Sequence, residues 1–114
     1  MATGSDQLFS WDYSERSDIL NIHRAGKMTA GGAELGDFTV DFDKGGDVVG
    51  VEIMNASDFF SQVGISGGEL ATLKAAEIIV NKRAAYSLIL VKLFLPQRVD
   101  VIPLPAPIVA EAAV

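Results

Sequence analysis

The sequence predicts a single α+β domain that is mainly antiparallel β. We expect about six to seven strands paired as hairpins, with one or two short helices between residues 57 and 75. Three observations support this fold class. Several segments alternate apolar and polar residues, Ser66-Gly-Gly-Glu69 has the form of a helix-capping box, and a length of 114 residues suits one domain with one core.

The N-terminal part predicts a first hairpin. Residues 9–13 alternate aromatic and polar side chains, and residues 19–23 form a second run with apolar side chains on one face. The polar segment between them predicts a turn. We expect residues 1–6 to form a frayed tail and the glycine-rich residues 25–36 to form a loop.

The segment from Asp37 to Ser57 gives the clearest structural signal. Two runs of period two flank the sequence Lys44-Gly45-Gly46-Asp47, where glycine adopts a positive φ at little cost. This pattern predicts a hairpin. Gly50 lies inside the second run and predicts a bulge or the close approach of another backbone.

Capping residues predict the short helices. Asn55-Ala-Ser57 offers side chains that can cap a helix over residues 58–63, which Gly64 would end. Ser66 and Glu69 would each accept a backbone N–H bond at the start of a second helix.

Residues 69–92 are compatible with one long helix or with a strand pair. The stripe of apolar residues at helical spacing is patchy, and Glu77-Ile-Ile-Val-Asn81 is rich in β-branched residues, which favour strands. Residues 86–91 are apolar on both faces, as in a central strand buried on both sides. We therefore favour the strand pair.

The chain is divided into three parts within the one predicted domain. We expect a β unit over about residues 7–57, a C-terminal β extension over about residues 65–103 and a Pro-rich apolar tail over residues 103–114. Residues 99–101 predict a last edge strand. The prolines from Pro103 onward are expected to prevent ladder pairing and to favour an extended arm.

Composition excludes several classes of function. The net charge is −6 and the nine Lys and Arg residues are scattered, which disfavours direct nucleic-acid binding. No cysteine is present, so disulfides and thiolate chemistry are excluded. The longest apolar run, residues 88–95, is too short to cross a bilayer, and the N-terminus has no signal-peptide pattern. These features predict a cytoplasmic protein without membrane contact.

Hydrophobic residues make up 49% of the chain, a high share for a protein that also carries a net charge of −6. This excess predicts apolar surface that is buried between subunits or against a partner. We therefore expect a homo-oligomer, with a protein partner as the alternative. No pattern in the sequence predicts a cofactor.

Asp41, Asp43 and Glu52 are candidate metal ligands with a weak sequence signal. Their spacing resembles a calcium loop, in which Glu52 would occupy the twelfth position. Lys44 lies among the proposed ligands, however, and the alternation after the turn is that of a strand that carries Glu52 away. A solvated hairpin is the favoured interpretation, and the sequence commits to no metal site and no catalytic residue.

Carboxylates elsewhere offer weaker alternatives. Asp12 and Asp18 could form acid–base pairs with Asp41 or Glu52, although surface carboxylates on strands explain them as well. For Glu52 we favour a structural ion pair with a cation such as Arg16.

Three further features have structural explanations that we favour. His23 is the single histidine and is better explained by packing than by base catalysis. The Ser66-Gly67-Gly68 turn is better explained by helix capping than by anion binding. The aromatic side chains of residues 11, 13, 59 and 60 are better explained as core than as a pocket lining.

Two spaced motifs lie between residues 9 and 57: Tyr13-x-x-x-x-Asp18-Ile-Leu-x-Ile22 and Asp41-Phe-Asp43-x-x-Gly46-x-x-Val49-Gly-Val-Glu-Ile53-x-x-Ala56-Ser57. They resemble the YuzE-like family, small prokaryotic proteins of unknown function. The family usually carries an aromatic residue where this chain has Asn21, and the longer C-terminal half is similar to archaeal-type extended members. The resemblance implies a compact β-rich domain and no activity. Because such proteins often sit beside small toxin-like genes, it also implies a neutralising-partner role as an alternative.

The sequence thus predicts a protein of unknown function, and we favour a non-enzymatic interaction or structural domain that forms a homodimer. One alternative is a toxin-neutralising partner of a small basic protein. The other is a small metal-dependent hydrolase that uses Asp41, Asp43 and Glu52.

Overall fold

The computed structural model describes residues 2–105 and the backbone of residues 108–109. Within them, six strands form an N-terminal sheet in the order β1-β2-β3-β6-β5-β4. These strands are β1 (Ala2–Ser5), β2 (Phe9–Ser14), β3 (Ile19–Arg24), β4 (Gly31–Leu35), β5 (Phe38–Phe42) and β6 (Val48–Met54).

A second, four-stranded sheet follows in the chain, and we call it the C-terminal sheet. Its strands are β7 (Ala75–Lys82), β8 (Tyr86–Phe94), β9 (Val99–Pro103) and β10 (Ile108–Val109). Two short helices connect the sheets, α1 (Ala56–Ser61) and α2 (Gly67–Leu70). Every strand pairing is antiparallel, which confirms the predicted fold class, although the strands outnumber the six to seven expected.

The two sheets and the helices share one hydrophobic core. Strand β7 packs against β2, β3 and β6, so the C-terminal sheet covers the middle of the N-terminal sheet. The alternation predicted for residues 9–13 determines which side chains enter this core. Phe9, Trp11 and Tyr13 are buried, whereas the polar residues between them lie on the opposite face.

The N-terminal residues form a strand and not the expected frayed tail. Strand β1 pairs with β2, and Gly4 lies directly opposite Trp11. A Cβ atom at Gly4 would lie 2.7 Å from the Trp11 ring. The missing side chain at Gly4 therefore leaves room for the indole, and the indole in turn covers this edge of the sheet.

The hairpin predicted for residues 37–57 is confirmed as β5 and β6. The register shifts at Asp41/Phe42, so that Val49 is the extra residue of a β-bulge beside Gly50. The close neighbours of Gly50 are side chains, and the alternative of a second backbone is wrong. A Cβ at Gly50 would lie 2.9 Å from Asp41 Oδ2 and 3.0 Å from His23 Cδ2.

Two predicted irregular segments contain strands. The loop expected over residues 25–36 includes β4, whose residues pair along β5 despite the adjacent glycines. Pro103 does not prevent pairing, because it is the last residue of β9 and faces Leu90 of β8. Proline is tolerated at such an edge position. The predicted tail beyond residue 105 lies outside the described residues, apart from the backbone of β10.

The strand pair over residues 69–92 is confirmed, and the long helix is wrong. The expectation that β8 is buried on both faces is also wrong. Ile89, Val91 and Leu93 enter the core, whereas Leu88 and Leu90 on the other face are only partly covered. One face of the C-terminal sheet is therefore apolar without being buried in the chain.

Arg98 connects the helical segment to the C-terminal sheet. Its guanidinium lies 2.8 Å from Glu69 Oε2, donates to Asp100 Oδ2 at 2.7 Å and donates to the Gly64 carbonyl oxygen at 2.9 Å. The capping box of α2 is confirmed, since Ser66 Oγ accepts from the Glu69 N–H and Glu69 accepts from the Ser66 N–H. Arg98 thus binds Glu69, whose carboxylate caps the start of α2.

The bulge leads to a prediction for Gly50. Gly50→Ala would push against Asp41 and His23, so we expect the free energy of unfolding to fall by about 1–2 kcal/mol. Gly31→Ala is the matched control, because no atom lies within 4 Å of its Cβ position. Denaturant melts of both variants make the comparison, and equal stability of the two variants would contradict the close approach.

Candidate functional site

Asp18 is the centre of a hydrogen-bonded cluster that we call the Asp18 network. The Tyr13 hydroxyl donates to Asp18 Oδ1 at 2.7 Å, and the Ser57 N–H donates to the same oxygen at 2.9 Å. The Ser57 hydroxyl donates to Asp18 Oδ2 at 2.7 Å. The network joins residues 39 positions apart in the chain.

The local backbone brings Asp18 into this position. Asp18 ends the β2–β3 turn with φ 57, and its N–H donates to the Ser14 carbonyl oxygen at 2.7 Å. Asn55, before α1, has a similar left-handed conformation with φ 52. Asn and Asp tolerate this region better than other residues with a side chain. The side-chain types at these two positions therefore permit both bends.

The start of α1 is capped from outside the helix. The Ala56 N–H donates to the Asp18 carbonyl oxygen at 3.0 Å, and the Ser57 N–H donates to the Asp18 carboxylate. Asn55 occupies the N-cap position, but its side chain donates to Asp37 Oδ1 at 3.4 Å. The prediction that residues 55–57 cap a helix over 58–63 is therefore wrong in its cap and in its bounds.

The Asp18 network changes the acidity of its members. Partial burial by itself would raise the pKa of Asp18, but hydrogen bonds from Ser57 and Tyr13 to the carboxylate outweigh it and lower the pKa from its ordinary value of 3.8. Burial and the adjacent Asp18 carboxylate raise the pKa of Tyr13. The network is therefore a neutral phenol and a hydroxyl bound to a carboxylate anion. Such a group stabilises structure, because each of its polar atoms already has a partner.

The metal-site candidates are divided between a turn and the outer face of a sheet. Asp43 Oδ1 accepts the N–H groups of Gly45 and Asp47 at 2.9 and 3.0 Å, which builds the β5–β6 turn. Asp41 and Glu52 lie on the outer face of the N-terminal sheet, opposite Gly50 and Thr39. In the part of the chain that the structure describes, no three His, Asp or Glu side chains are grouped so that they could hold a metal ion.

The other carboxylates occupy separate positions. Asp12 accepts a hydrogen bond from the Thr3 hydroxyl at 2.7 Å, whereas Asp18 belongs to the network described above. Among the described residues, no ion pair joins Glu52 to Arg16, and that expectation is wrong. Glu52 instead faces Asn21 and Thr39 on the neighbouring strands.

His23 lies beside Ser10 on the outer face of the N-terminal sheet, but its ring is engaged elsewhere. Nδ1 lies 2.8 Å from the Arg24 carbonyl oxygen and Nε2 lies 3.2 Å from the Thr29 hydroxyl. Because a carbonyl oxygen only accepts, Nδ1 carries the proton that it donates. Nε2 is directed to Thr29, so His23 is not placed to activate Ser10 as a base would.

The remaining candidates are structural. Trp11, Tyr13 and Phe60 are buried in the core, and Phe59 packs edge-to-face against Phe60 with ring centroids 4.9 Å apart. Two surface depressions of about 430 and 420 Å³ lie in the described part of the chain. The first is lined by residues 26–30 and 43–45, and the second lies over the outer faces of β1, β2 and β3.

The most unusual surface is the outer face of the C-terminal sheet, which we call the C-terminal face. Val99 and Val101 are each 49% exposed, and Ile79 and Tyr86 are 37% and 38% exposed. The partly covered apolar members between them are Ala75, Leu88, Leu90 and Phe94. Because residues on one face recur every second position, these side chains all lie on one side of the sheet.

Two opposite charges lie within the C-terminal face. Glu77, Lys92 and Val101 are direct neighbours across β7, β8 and β9. Lys92 Nζ lies 5.1 Å from the centroid of the Phe94 ring, a cation–π distance. Within the described residues, no ion pair joins Glu77 to Lys92. The face therefore carries one anion and one cation that do not neutralise each other by direct contact.

Sequence reasoning missed both the Asp18 network and the C-terminal face. The Asp18 network required a contact between residues that are distant in the chain, and the only local signal was an Asp at the end of a polar turn. The C-terminal face has a signal in the doubly apolar pattern of residues 86–91, which predicts burial on both faces. The same pattern is produced by a strand with one covered and one open face.

Comparison with known proteins finds a family match in the part of the chain from β2 to the start of α1. Residues 11–57 match a family described as a protein of unknown function, DUF2283. An uncharacterised protein of Methanocaldococcus jannaschii is 42% identical over 50 residues, which cover 44% of this chain and 43% of that relative. The chain thus aligns with less than half of the relative's length, and no solved structure matches.

These matches support the predicted resemblance to proteins of unknown function, but neither carries the YuzE-like name. The family match includes Tyr13, Asp18 and Ser57, so the whole Asp18 network lies within it. The C-terminal face lies outside it. Among the described residues, neither helix has the length and apolar character required to cross a membrane.

The Asp18 network predicts an acid-dependent contribution to stability. A carboxylate whose pKa is lowered by folding stabilises the protein above its unfolded pKa, near 3.8, and the contribution is lost as the pH falls through the folded pKa. We expect Asp18→Asn to reduce the free energy of unfolding by about 2 kcal/mol at pH 7, because hydrogen bonds to a charged acceptor are lost. The difference in the free energy of unfolding between the wild type and Asp18→Asn should shrink as the pH falls below about 3.8.

Denaturant melts between pH 7 and pH 2.5 measure this effect. Asp12→Asn is the matched control, since Asp12 makes a single exposed hydrogen bond to Thr3, and we expect a change below about 0.5 kcal/mol. A deficit in Asp18→Asn that stays constant with pH would show that the carboxylate charge is not what stabilises the network.

Proposed function

We propose that this chain is a non-enzymatic interaction domain that forms a homodimer, in which a second copy covers the C-terminal face. The observation that carries the proposal is the set of exposed and half-buried apolar side chains on the outer face of β7, β8 and β9. Monomers rarely leave an apolar surface of this kind uncovered, and large ones usually mark an interaction site.

The charge distribution supports a second copy as the occupant. The chain carries a net charge of −6, yet the C-terminal face contains one Glu and one Lys and is neutral. Two copies can therefore approach through this face without local repulsion, while their other surfaces keep the dimer soluble. Two sheets that stack face to face lie about 10 Å apart, and their apolar side chains interdigitate across this distance.

The state of the polar groups supports a non-enzymatic role. The acid, hydroxyl and phenol of the Asp18 network bind one another, and both His23 ring nitrogens have partners. Asp43 builds a turn with its carboxylate. Each of these groups is thus hydrogen-bonded within the chain, as structural groups are.

A charge placed on the C-terminal face tests the proposal. We expect the wild-type chain to scatter light with twice its mass of 12.1 kDa, and Ile79→Lys to weaken the dimer at least about tenfold, because the new ammonium would be buried against apolar side chains. The measurement is mass by light scattering over a range of concentrations.

Leu8→Lys is the matched control, because Leu8 is 61% exposed, lies outside the C-terminal face and receives the same change of charge. It should leave the mass unchanged. A wild-type mass of 12.1 kDa at every concentration, or an equal effect of the two variants, would overturn the proposed dimer.

A basic protein partner is the second candidate, favoured by the outer face of the N-terminal sheet. Asp12, Glu34, Asp41 and Glu52 lie on this face. Arg24 is the one Lys or Arg in strands β1–β6, and its guanidinium lies 5.6 Å from the Phe9 ring on the other side of the sheet. The face is therefore acidic and would attract a cationic surface.

Under this second candidate, a small basic protein encoded beside this chain should co-purify with it and be released when the ionic strength is raised. Glu52→Lys should weaken retention, whereas Asp58→Lys at an exposed position of α1, with the same change of charge, should not. Retention that is unaffected by salt and by Glu52→Lys would contradict an electrostatic contact at this face.

A further inference from the structure

We infer that the two copies are related by a two-fold axis that places Glu77 of each copy against Lys92 of the other. This inference rests on the proposed dimer and specifies how its faces are oriented. It assigns the two charges a role as the device that selects a second copy of this chain over other apolar surfaces.

The charges lie at the centre of the C-terminal face. The row formed by Glu77, Lys92 and Val101 lies between two apolar rows. One of these consists of Ile79, Leu90 and Pro103, and the other consists of Ala75, Phe94 and Val99. Any partner that covers the apolar rows must therefore also cover both charges.

The structure shows no ionic partner for either charge among the described residues. Glu77 and Lys92 are both half-buried, and among the described residues neither takes part in an ion pair. The Lys92 ammonium lies over Phe94 instead. An unpaired charge that loses its water destabilises a contact strongly, so the partner must bring an opposite charge to each of them.

A second copy brings both charges at the correct spacing. Glu77 and Lys92 are cross-strand neighbours, and adjacent strands lie about 4.8 Å apart. A two-fold axis parallel to the strands and midway between β7 and β8 exchanges the two positions. Glu77 of one copy then faces Lys92 of the other, and the reciprocal pair forms by symmetry.

Other face-to-face arrangements match the charges less well. An axis along β8 would place Lys92 against Lys92 of the second copy. An axis across the strands through this row would place each charge against its own equivalent. Since like charges in a desolvated contact oppose association, these arrangements are disfavoured.

Charge reversal tests the pairing. We expect Glu77→Lys and Lys92→Glu each to weaken the homodimer at least about tenfold, because each creates two repulsive contacts across the axis. An equimolar mixture of the two variants should form a heterodimer, since both of its cross-contacts are attractive. The double variant E77K/K92E should recover the homodimer.

The measurement is the mass of each sample and of the mixture by light scattering, with circular dichroism as the check of folding. Glu34→Lys is the control, because Glu34 lies on the N-terminal sheet and undergoes the same charge change. It should leave the dimer intact. Should a single reversal unfold the chain, the neutral pair E77Q and K92M replaces it, and the dimer of those variants should lose the salt dependence of the wild type.

The outcomes separate the two proposals. A wild-type dimer whose reversed variants do not associate on mixing would overturn the Glu77–Lys92 pairing and leave the proposed dimer standing. A wild-type chain that stays monomeric at every concentration would overturn the proposed dimer itself and, with it, the pairing.

Discussion

The arrangement of the fold depends on the hydrogen bonds that the Asp18 carboxylate accepts. The carboxylate binds Tyr13 within the first hairpin and Ser57 at the start of α1, so it joins the N-terminal sheet to the segment that leads to the C-terminal sheet. Beyond α1, the chain buries Phe60, Ile65 and Leu70 over the core. A contact made at the end of a turn therefore fixes where the chain leaves the N-terminal sheet towards these side chains.

Local sequence patterns predicted the elements whose causes are local. The alternation in residues 9–13 and 38–54, the glycine turn and the Ser66 capping box depend on neighbours a few positions away. Strand β4 was missed because its glycines make no signal of their own, and its pairing depends on β5. Strand β1 was missed for the same reason, since Gly4 acquires its role only against Trp11.

Spacing along the chain was a poor guide to the candidate sites. Asp41, Asp43 and Glu52 have intervals that suit a calcium loop, yet Asp43 builds the turn, while Asp41 and Glu52 lie on the outer face of the N-terminal sheet. The sequence presents Asp18 as one surface carboxylate among several, because its partner Ser57 lies 39 residues away. The doubly apolar pattern of β8 showed that both faces need cover, but not whether the second cover belongs to the same chain. That distinction depends on how many layers the chain can supply.

The external cap of α1 also bears on the order in which the chain acquires structure. A helix of six residues does not persist alone in water, and this one has no cap of its own side chains. Its first N–H groups find acceptors only after the turn that carries Asp18 has formed and β6 has paired with β3. Formation of α1 is thus tied to contacts of long sequence separation, which are slow to close. The Ser57 amide should accordingly be protected from exchange with solvent for as long as the Asp18 turn and the β3–β6 pairing are intact.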